Sequence, residues 1–460
     1  MGLFSKDEKK KKTLIGKGFK LEDKRQRELV DIYQDDDNRP NHTFVFGSTG
    51  VGKTRLLEGL MEQDIRKGQS VVIIDPKGDI GLFSKMVALA KECGREKDVM
   101  FVSSIFPDYS LKINPLSNYF MDEEVIANIV SGVPSQDEFF LKVAQETTTA
   151  IVKALILLRK INNNDEPITF EEIAKKAHYR GIESLKDEID SAVEYNESES
   201  IASDLIRIQS LLEQIMSSNQ DYFSKVTTTL RTTLSEMSVG NIGKIIGNVK
   251  SNKFIDRLEE DKPVLLFVMT GSMLTRQSSG ILSKVIISMI QCCVGKIISS
   301  GKSFTHRLNL YIDEAASSVY RGIEVLFAQG RSSNLNITGL TQSLADMVAE
   351  IGKERADKIF DLTNTKIIMR INEQKSAELI SEMGGKSVGY SYFLNLEGGI
   401  SSREVEELNI EADDITQLQK REFYYFGFEG RFKGKTAPVS PSKYEIIFPD
   451  ISSKEKRKVS

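Results

Sequence analysis

Residues 47–54 read GSTGVGKT and match the spacing G-x-x-x-x-G-K-[ST] without a mismatch. Glycines at this spacing let the backbone wrap around phosphates, and the helix N-terminus that follows adds positive potential. Lys53 is placed to reach the β- and γ-phosphates of a nucleotide, and Thr54 to ligate Mg²⁺. The alternative interpretation is a glycine-rich turn that only caps a helix. The predicted phosphate-binding residues are Gly47, Ser48, Thr49, Gly50, Val51, Gly52, Lys53 and Thr54.

Two adjacent carboxylates follow the apolar segment LNLYI of residues 308–312. A phosphate loop needs a carboxylate at the end of a hydrophobic strand to hold Mg²⁺ through its water shell. Asp313 is the candidate for this metal ligand, and Glu314 is the candidate general base for an attacking water. Alternatively, one of the two residues simply caps the helix that follows.

Two further polar residues stand at places where they could take part in hydrolysis. Gln342 follows the predicted strand 336–340, where its amide could contact the attacking water. Arg331 ends the predicted helix after Glu314, and an arginine that reaches the γ-phosphate of a neighbouring subunit stabilises transition-state charge. The alternatives are an ordinary loop amide at Gln342 and, at Arg331, a cation that complements the helix dipole.

Strands and helices alternate on either side of a long helical region. Short apolar, β-branched runs predict strands, and a βαβ order requires parallel strands with helical crossovers. Ligands bind such sheets beyond the carboxyl ends of the strands. We therefore predict an α/β fold with a mainly parallel sheet flanked by helices and an inserted all-α domain. The predicted strands cover residues 42–46, 70–74, 99–103, 263–269, 308–312, 336–340 and 365–369.

The helical region contains apolar residues spaced by four and three positions, from Ile201 to Ile215, on one helix face. Core packing is favoured over a partner-binding coiled coil. The expected domains are a charged N-terminal arm at 1–40, a nucleotide-binding domain at 41–120 and 259–435, an all-α insertion at 121–258, and a basic C-terminal tail at 436–460.

Composition excludes several classes of protein. The chain has 460 residues with a net charge of −4, and its three Cys and three His are too few and too scattered for a disulfide framework or a zinc site. No secretory signal is visible. The most apolar helix, near residues 279–299, is interrupted by Lys284 and Lys296, so we do not expect it to span a bilayer. Basic ends, rich in lysine at residues 1–20, leave the segment between them acidic.

A set of ordered segments resembles the type IV coupling proteins of conjugation and type IV secretion, the TraD/TraG group. Among them, VVIIDPKGD distinguishes the chain from a generic RecA-like ATPase. The resemblance covers residues 42 to about 385. It rests on GSTGVGKT (47–54), VVIIDPKGD (71–79), LYIDEA (310–315), GR (330–331), LTQS (340–343) and NTKIIMRINEQKSAELIS (364–381).

The resemblance implies a RecA-like P-loop NTPase that binds ATP and Mg²⁺ and assembles as a homo-hexamer. Such a protein receives DNA as a relaxase–DNA complex, or protein substrates, and passes them to a membrane-embedded secretion channel. It implies a Walker B pair at Asp313 and Glu314, an arginine finger at Arg331 and a sensor glutamine at Gln342. Asp75 and Lys77 would lie at the edge of the nucleotide pocket.

The chain departs from that group in two respects. Its members usually begin with transmembrane helices, and none is visible here; the residues from 316 onward also lack the phenylalanine-containing sequence that is common after Asp-Glu in the group. We expect a cytoplasmic protein at the inner face of the cell membrane, either docked through a partner or lacking an anchor in the sequence given. The lysine-rich arm is expected to be solvated rather than bound to lipid or DNA phosphate. Two other functions stay open: a HerA/FtsK-type DNA translocase or other secretion motor, and a nucleotide-switched substrate adaptor.

Overall fold

The computed structural model describes residues 11–21, 28–134, 137–195, 199–394 and 400–449. Within these residues the main sheet has eleven strands in the order β2-β1-β13-β12-β9-β3-β8-β7-β4-β6-β5. The four strands at one end of this order are β1 (Lys12–Lys20), β2 (Val30–Asp35), β12 (Glu422–Gly427) and β13 (Gly430–Thr436). Seven neighbouring strands, from β9 to β5, are parallel to one another. These strands are β3 (Thr43–Phe46), β4 (Ser70–Asp75), β5 (Val99–Ser103), β6 (Leu265–Met269), β7 (Leu308–Ile312), β8 (Leu335–Thr341) and β9 (Thr365–Ile368).

The predicted α/β fold is therefore confirmed, with all seven predicted strands present within two residues of their predicted bounds. Adjacent residues of β4 point to opposite faces of the sheet. Val71 and Ile73 belong to the core on one face, and Val72 and Ile74 to the core on the other. Because both faces are covered, the strands are apolar throughout rather than alternating.

One face of the parallel strands is covered by α1 (Lys53–Arg66) and α2 (Ile80–Glu92). The other face is covered by the long helix α11 (Ser272–Ser299) and by the helical region. Five further helices follow β7 in the described residues. They are α12 (Ile323–Gln329), α13 (Leu344–Ile351), α14 (Lys353–Leu362), α15 (Gln374–Met383) and α16 (Ala412–Thr416), with a separate hairpin of β10 (Lys386–Leu394) and β11 (Ile400–Leu408).

The described segments between β5 and β6 form helices and turns. On helix α7 (Glu199–Met216) the predicted stripe packs inward, with Leu205, Ile208, Leu212 and Ile215 all buried in the core, as the core-packing interpretation requires. A π-helical turn, Gly243–Gly247, precedes the last helix. The helices are α3 (Asp122–Ser131), α4 (Glu138–Ile161), α5 (Phe170–Lys176), α6 (Tyr179–Tyr195), α7 (Glu199–Met216), α8 (Gln220–Val226), α9 (Thr228–Ser238) and α10 (Lys253–Glu259).

Helix α11 contains the segment Ser278–Ser299, which is long and apolar enough to cross a membrane. Most of this segment is buried inside the fold, where Leu282, Val285 and Ile286 join the core beneath the sheet. Its apolar composition is thus accounted for by packing against the sheet and the helical region.

The predicted N-terminal arm is wrong for the described part of residues 1–40. Strands β1 (Lys12–Lys20) and β2 (Val30–Asp35) extend the sheet through antiparallel pairing of β1 with β13 (Gly430–Thr436), next to β12 (Glu422–Gly427). The lysines obscure the signal, because only one face of β1 and of the edge strand β2 is buried. Ile15 and Ile32 lie in the core, whereas Lys17 is exposed. Residues 1–10, with Lys6, Lys9 and Lys10, lie outside the described residues.

The predicted C-terminal tail also begins later than expected. Residues 437–449, which we call the C-terminal strap, pack along α2. The ring of Phe448 stacks on that of Phe106 with 4.2 Å between centroids, and the backbone N–H of Ile446 donates to Ser84 Oγ (2.9 Å). The basic residues 451–460 lie outside the described residues.

A buried ion pair joins the N-terminal segment to the sheet at its amino edge. The Arg39 guanidinium donates two hydrogen bonds to the Asp64 carboxylate of α1 and one to Tyr311 Oη of β7 (2.9 Å). All three side chains are at most 1% exposed. Burial disfavours the charge, but the adjacent Asp64 carboxylate outweighs it and raises the pKa of Arg39. Replacing one partner therefore leaves the other charge buried and unpaired in the core.

We expect Asp64→Ala to lower the free energy of unfolding by about 3–5 kcal/mol, the usual cost of breaking a buried pair. Urea unfolding followed by circular dichroism measures this loss. The matched control is Asp187→Ala on α6, whose exposed side chain should change stability by about 0.5 kcal/mol or less. Equal unfolding midpoints for the two variants would contradict the assignment.

Candidate nucleotide-binding site

The residues singled out in the sequence converge at the carboxyl edge of the parallel strands. Residue 47 follows β3, Asp75 ends β4, Asp313 follows β7, and Gln342 follows β8. Strands β3, β8, β7 and β4 are consecutive neighbours, so these positions lie side by side. This is the edge at which parallel sheets bind ligands.

The loop between β3 and α1 has the backbone form that its glycines allow. Gly50 and Gly52 have φ of 78° and 115°, a region that favours glycine. A Cβ on Gly47 would lie 2.9 Å from the side chain of Met369, so this position also requires glycine. Lys53 is buried, and its ammonium donates to the carbonyls of Gly47 and Ser48, curling back over the loop. Thr49 and Gly50 are exposed at the tip.

Neighbouring segments hold the loop in place. The backbone N–H of Ser48 donates to Arg370 O (2.8 Å), and Ser48 Oγ accepts from the N–H of Asn372 (3.1 Å). Both contacts come from the segment after β9. The sequence prediction placed no residue of this segment in the site.

Arg421 supports the loop from the other side and is a second residue that the prediction missed. Its N–H donates to Val51 O (2.8 Å), and its guanidinium donates to the carbonyls of Thr436 and Ala437 (both 3.0 Å). A Cβ on Gly52 would lie 3.1 Å from Arg421 Cγ, which shows how closely the two approach. No local sequence signal identifies Arg421, because its contacts depend on the antiparallel end of the sheet.

The two predicted carboxylates lie directly beyond β7. Asp313 is buried, and its N–H donates to Ile74 O (3.0 Å) of β4. Glu314 adopts φ 46° and ψ 54°, an uncommon backbone for a residue other than glycine. Neither side chain caps a long helix, since only the 3-10 turn Ala315–Ser317 follows and Glu314 makes no side-chain cap bond. Gln342 Nε2 lies 3.4 Å from both Glu314 carboxylate oxygens.

Lys77 lies between the two carboxylates rather than at the edge of the site. Its ammonium is 3.1 Å from Asp313 Oδ2 and 2.9 Å from Glu314 Oε1. Burial works against the charge, but the two carboxylates outweigh it and raise the pKa of Lys77. At Lys53 burial prevails and lowers the pKa. Lys77 thus pairs with both carboxylates, whereas the Lys53 ammonium is held by the carbonyls of the loop.

Asp75 lies beneath this group and holds the backbone of the loop that carries Lys77. Its carboxylate accepts from the N–H groups of Lys77 (2.9 Å) and Asp79 (2.6 Å). Burial raises the pKa of Asp75 to about 6, although the two N–H donors oppose the shift. Asp75 therefore positions Lys77 rather than facing the phosphate loop.

The described residues contain no group of three or more His, Cys, Asp or Glu side chains suited to a metal ion. Mg²⁺ commonly takes one or two protein oxygens and completes its shell with water and substrate phosphates. The Thr54 hydroxyl and the Asp313 carboxylate fit that kind of site, because the cation now beside Asp313 is the half-exposed, flexible Lys77.

Arg331 lies away from these residues. It belongs to the 3-10 turn Gly330–Ser333, which precedes β8 at the amino edge of the sheet, and its side chain is exposed. The chain's own phosphate loop is at the opposite edge. Within one subunit the structure therefore does not bring Arg331 to the predicted site.

Comparison with known proteins identifies the family. The family described as "Helicase HerA, central domain" matches residues 25–268, more than half of the chain, and "TraM recognition site of TraD and TraG" matches residues 307–420. The chain belongs to the HerA-like P-loop ATPases, in the type IV coupling protein group. This confirms the resemblance drawn from the motifs.

Solved structures share the fold of this coupling protein at low sequence identity. The bacterial conjugative coupling protein TrwBdeltaN70 has a TM-score of 0.68 and 18% identity, over 89% of this chain and 88% of its own. TrwB in complex with ADP and Mg²⁺ gives 0.65 and 17%, over 90% and 88%. VirB4 of Thermoanaerobacter pseudethanolicus gives 0.53 and 12%, over 95% and 99%. These likenesses confirm the RecA-like fold with an all-helical domain.

A curated relative matches over a short stretch only. Type 4 coupling protein DotL of Legionella pneumophila subsp. pneumophila is 35% identical over 71 residues, which are 15% of this chain and 9% of DotL. The chain thus aligns with less than a tenth of that relative.

We expect Lys77→Met to lower the free energy of unfolding of the nucleotide-free protein by about 1–3 kcal/mol, because Asp313 is left buried without its cation. Millimolar Mg²⁺ should restore part of the melting temperature, since a divalent cation replaces the ammonium beside Asp313. Differential scanning fluorimetry with and without Mg²⁺ measures both effects. Lys142→Met, at an exposed ion pair on α4, is the control, and an equal Mg²⁺ response in both variants would refute this role of Lys77.

Proposed function

We propose that this protein hydrolyses ATP to drive the transfer of DNA or protein substrates into a type IV secretion channel. The observation that carries the proposal is the meeting of a phosphate loop, two acidic residues and a glutamine at one sheet edge. The comparisons support it, because the TrwB structures include complexes with ADP and Mg²⁺ and with a non-hydrolysable ATP analogue.

In this proposal the phosphates lie along residues 47–54, held by backbone N–H groups and by Lys53. Thr54 and Asp313 are the protein ligands of Mg²⁺, which neutralises phosphate charge when bound. Glu314 accepts a proton from the attacking water, and Gln342, 3.4 Å from Glu314, orients that water. The ammonium of Lys77 must leave the Glu314 carboxylate before this step. It can do so because the oxygens of the triphosphate provide other anionic partners.

Substrate recruitment is the second part of the proposal. We propose that the helical region between β5 and β6 recruits protein substrates or a relaxase–DNA complex. We also propose that the protein assembles as a homo-hexamer at the inner face of the membrane. The match to the TraM recognition family over residues 307–420 supports contact with a partner of the transfer machinery. Arg331 is exposed and lies away from the chain's own phosphate loop, so in this proposal it completes the site of a neighbouring subunit.

A DNA translocase of the HerA type is the second candidate function. The match of the HerA central domain to residues 25–268 favours it directly. The two candidates share the hydrolysis site and differ in the partner that receives the substrate. The TraD and TraG match favours the coupling function.

We expect Glu314→Gln to bind ATP but to lower the rate of hydrolysis by at least about a hundredfold, the usual range for a lost general base. Lys53→Ala should instead weaken nucleotide binding, because the phosphates lose their buried cation. Phosphate release and binding of a fluorescent ATP analogue separate the two effects. Glu324→Gln on α12 serves as the control acid. Wild-type hydrolysis by Glu314→Gln would refute the catalytic assignment.

Mixing of inactive variants tests Arg331. If the arginine acts in a neighbouring subunit, Lys53→Ala and Arg331→Ala proteins are each inactive, but mixed rings contain interfaces with both residues intact. We expect the mixture to recover part of the ATPase rate, measured on assemblies whose mass is confirmed by light scattering. Assembled mixtures without recovery would show that Arg331 does not act across the interface.

A further inference from the structure

A cavity of about 320 Å³ lies beside the phosphate loop, on the side of Thr54. Its walls come from the first turns of α1 and α2 and from the C-terminal strap. None of the side chains grouped around Glu314 lines it. The lining residues are Thr54, Arg55, Glu58, Asp79, Gly81, Lys85, Pro441 and Ser442.

The strap forms a fixed wall of this cavity. Lys85 donates to the Ser440 carbonyl (2.9 Å) and pairs with Glu62 of α1 (3.1 Å), which ties the strap to both helices. Farther along, Phe448 stacks on Phe106 and Lys443 pairs with Glu92 (2.8 Å). Pro441 and Ser442 are thus held between anchors on either side.

The position of the cavity indicates which part of a nucleotide it faces. A triphosphate along residues 47–54 has its γ end at the side where Glu314 and Gln342 meet. The nucleoside must leave the loop at another side, and Thr54 is shared by the loop and the cavity. The volume is at the small end of the range for ligand pockets, about 300–1,000 Å³.

The lining has the chemistry that a nucleoside requires. Arg55 is exposed and its guanidinium pairs with Glu58 (2.7 Å), so it presents a flat cation at the mouth of the cavity. Pro441 adds an apolar surface from the strap. The Glu58 carboxylate accepts hydrogen bonds, as ribose hydroxyls require of a partner.

We propose that Arg55, Glu58 and residues 440–442 of the strap form the nucleoside subsite, so that the C-terminal strap sets the affinity for the base and ribose. This inference rests on the proposed nucleotide function and deepens it. A polyphosphate without a nucleoside binds to the phosphate loop alone, so changes in the strap should not alter its affinity.

The test compares MgATP with magnesium tripolyphosphate, both measured by isothermal titration calorimetry. Ser442→Trp fills the cavity and should weaken ATP binding on the order of tenfold while tripolyphosphate stays within about twofold. Lys443→Ala, on the same strap but outside the cavity, is the matched control. Arg55→Ala, which leaves the strap intact, should also weaken ATP alone, and Arg66→Ala at the far end of α1 is its control.

The outcomes separate the two proposals. If ATP binds the wild type, Ser442→Trp and Arg55→Ala equally, or if both ligands weaken together, the nucleoside subsite is overturned and the phosphate site stands. If neither ligand binds the wild type, the nucleotide function itself fails. Should Ser442→Trp fail to fold, the Arg55→Ala comparison decides by itself.

Discussion

The hydrogen-bonded register of four parallel strands is the constraint on which the site depends. Phe46 of β3 pairs with Thr341 of β8, so the phosphate loop and Gln342 leave the sheet at one level. Ile312 of β7 pairs with Ile74 of β4, which places Asp313 level with Asp75. A slip of one residue in any pair would turn the side chains to the wrong face. The pairing of the strand backbones therefore sets the positions of the site residues, independently of the contacts between their side chains.

Two groups of charged side chains then connect the elements around the site. At the amino edge Asp64 of α1 meets Arg39 and Tyr311, and Tyr311 stands two residues before Asp313. At the carboxyl edge Lys53 begins α1, and Lys77 bridges Asp313 and Glu314. The first ion pair is fully buried and stabilises the fold. The second is partly exposed and can be exchanged for a ligand, which suits a site that must bind and release nucleotide.

The C-terminal part of the chain completes the same region from a distance. Arg421 contacts the phosphate loop at Val51, and the strap closes a cavity beside Thr54. Strand β1, from the other end of the chain, pairs with β13, and its Ile15 carbonyl accepts a hydrogen bond from the N–H of Ala437 (3.1 Å) at the start of the strap. Both termini of the described chain thus support a loop that lies between them in sequence.

The sequence by itself determined the chemistry that is local. Eight consecutive residues specify the phosphate loop, β-branched runs specify the buried strands, and the spacing on α7 specifies its core face, because each signal lies within a few turns or one strand.

Only the tertiary structure decided the strand order, the added strands β1 and β2, the central place of Lys77 and the contacts of Arg421 and the strap. These depend on pairing between residues up to several hundred positions apart. Burial on one face of a lysine-rich strand leaves a weak pattern, and a supporting arginine leaves none. Such contacts form only when the chain has closed into its sheet, so no local pattern records them.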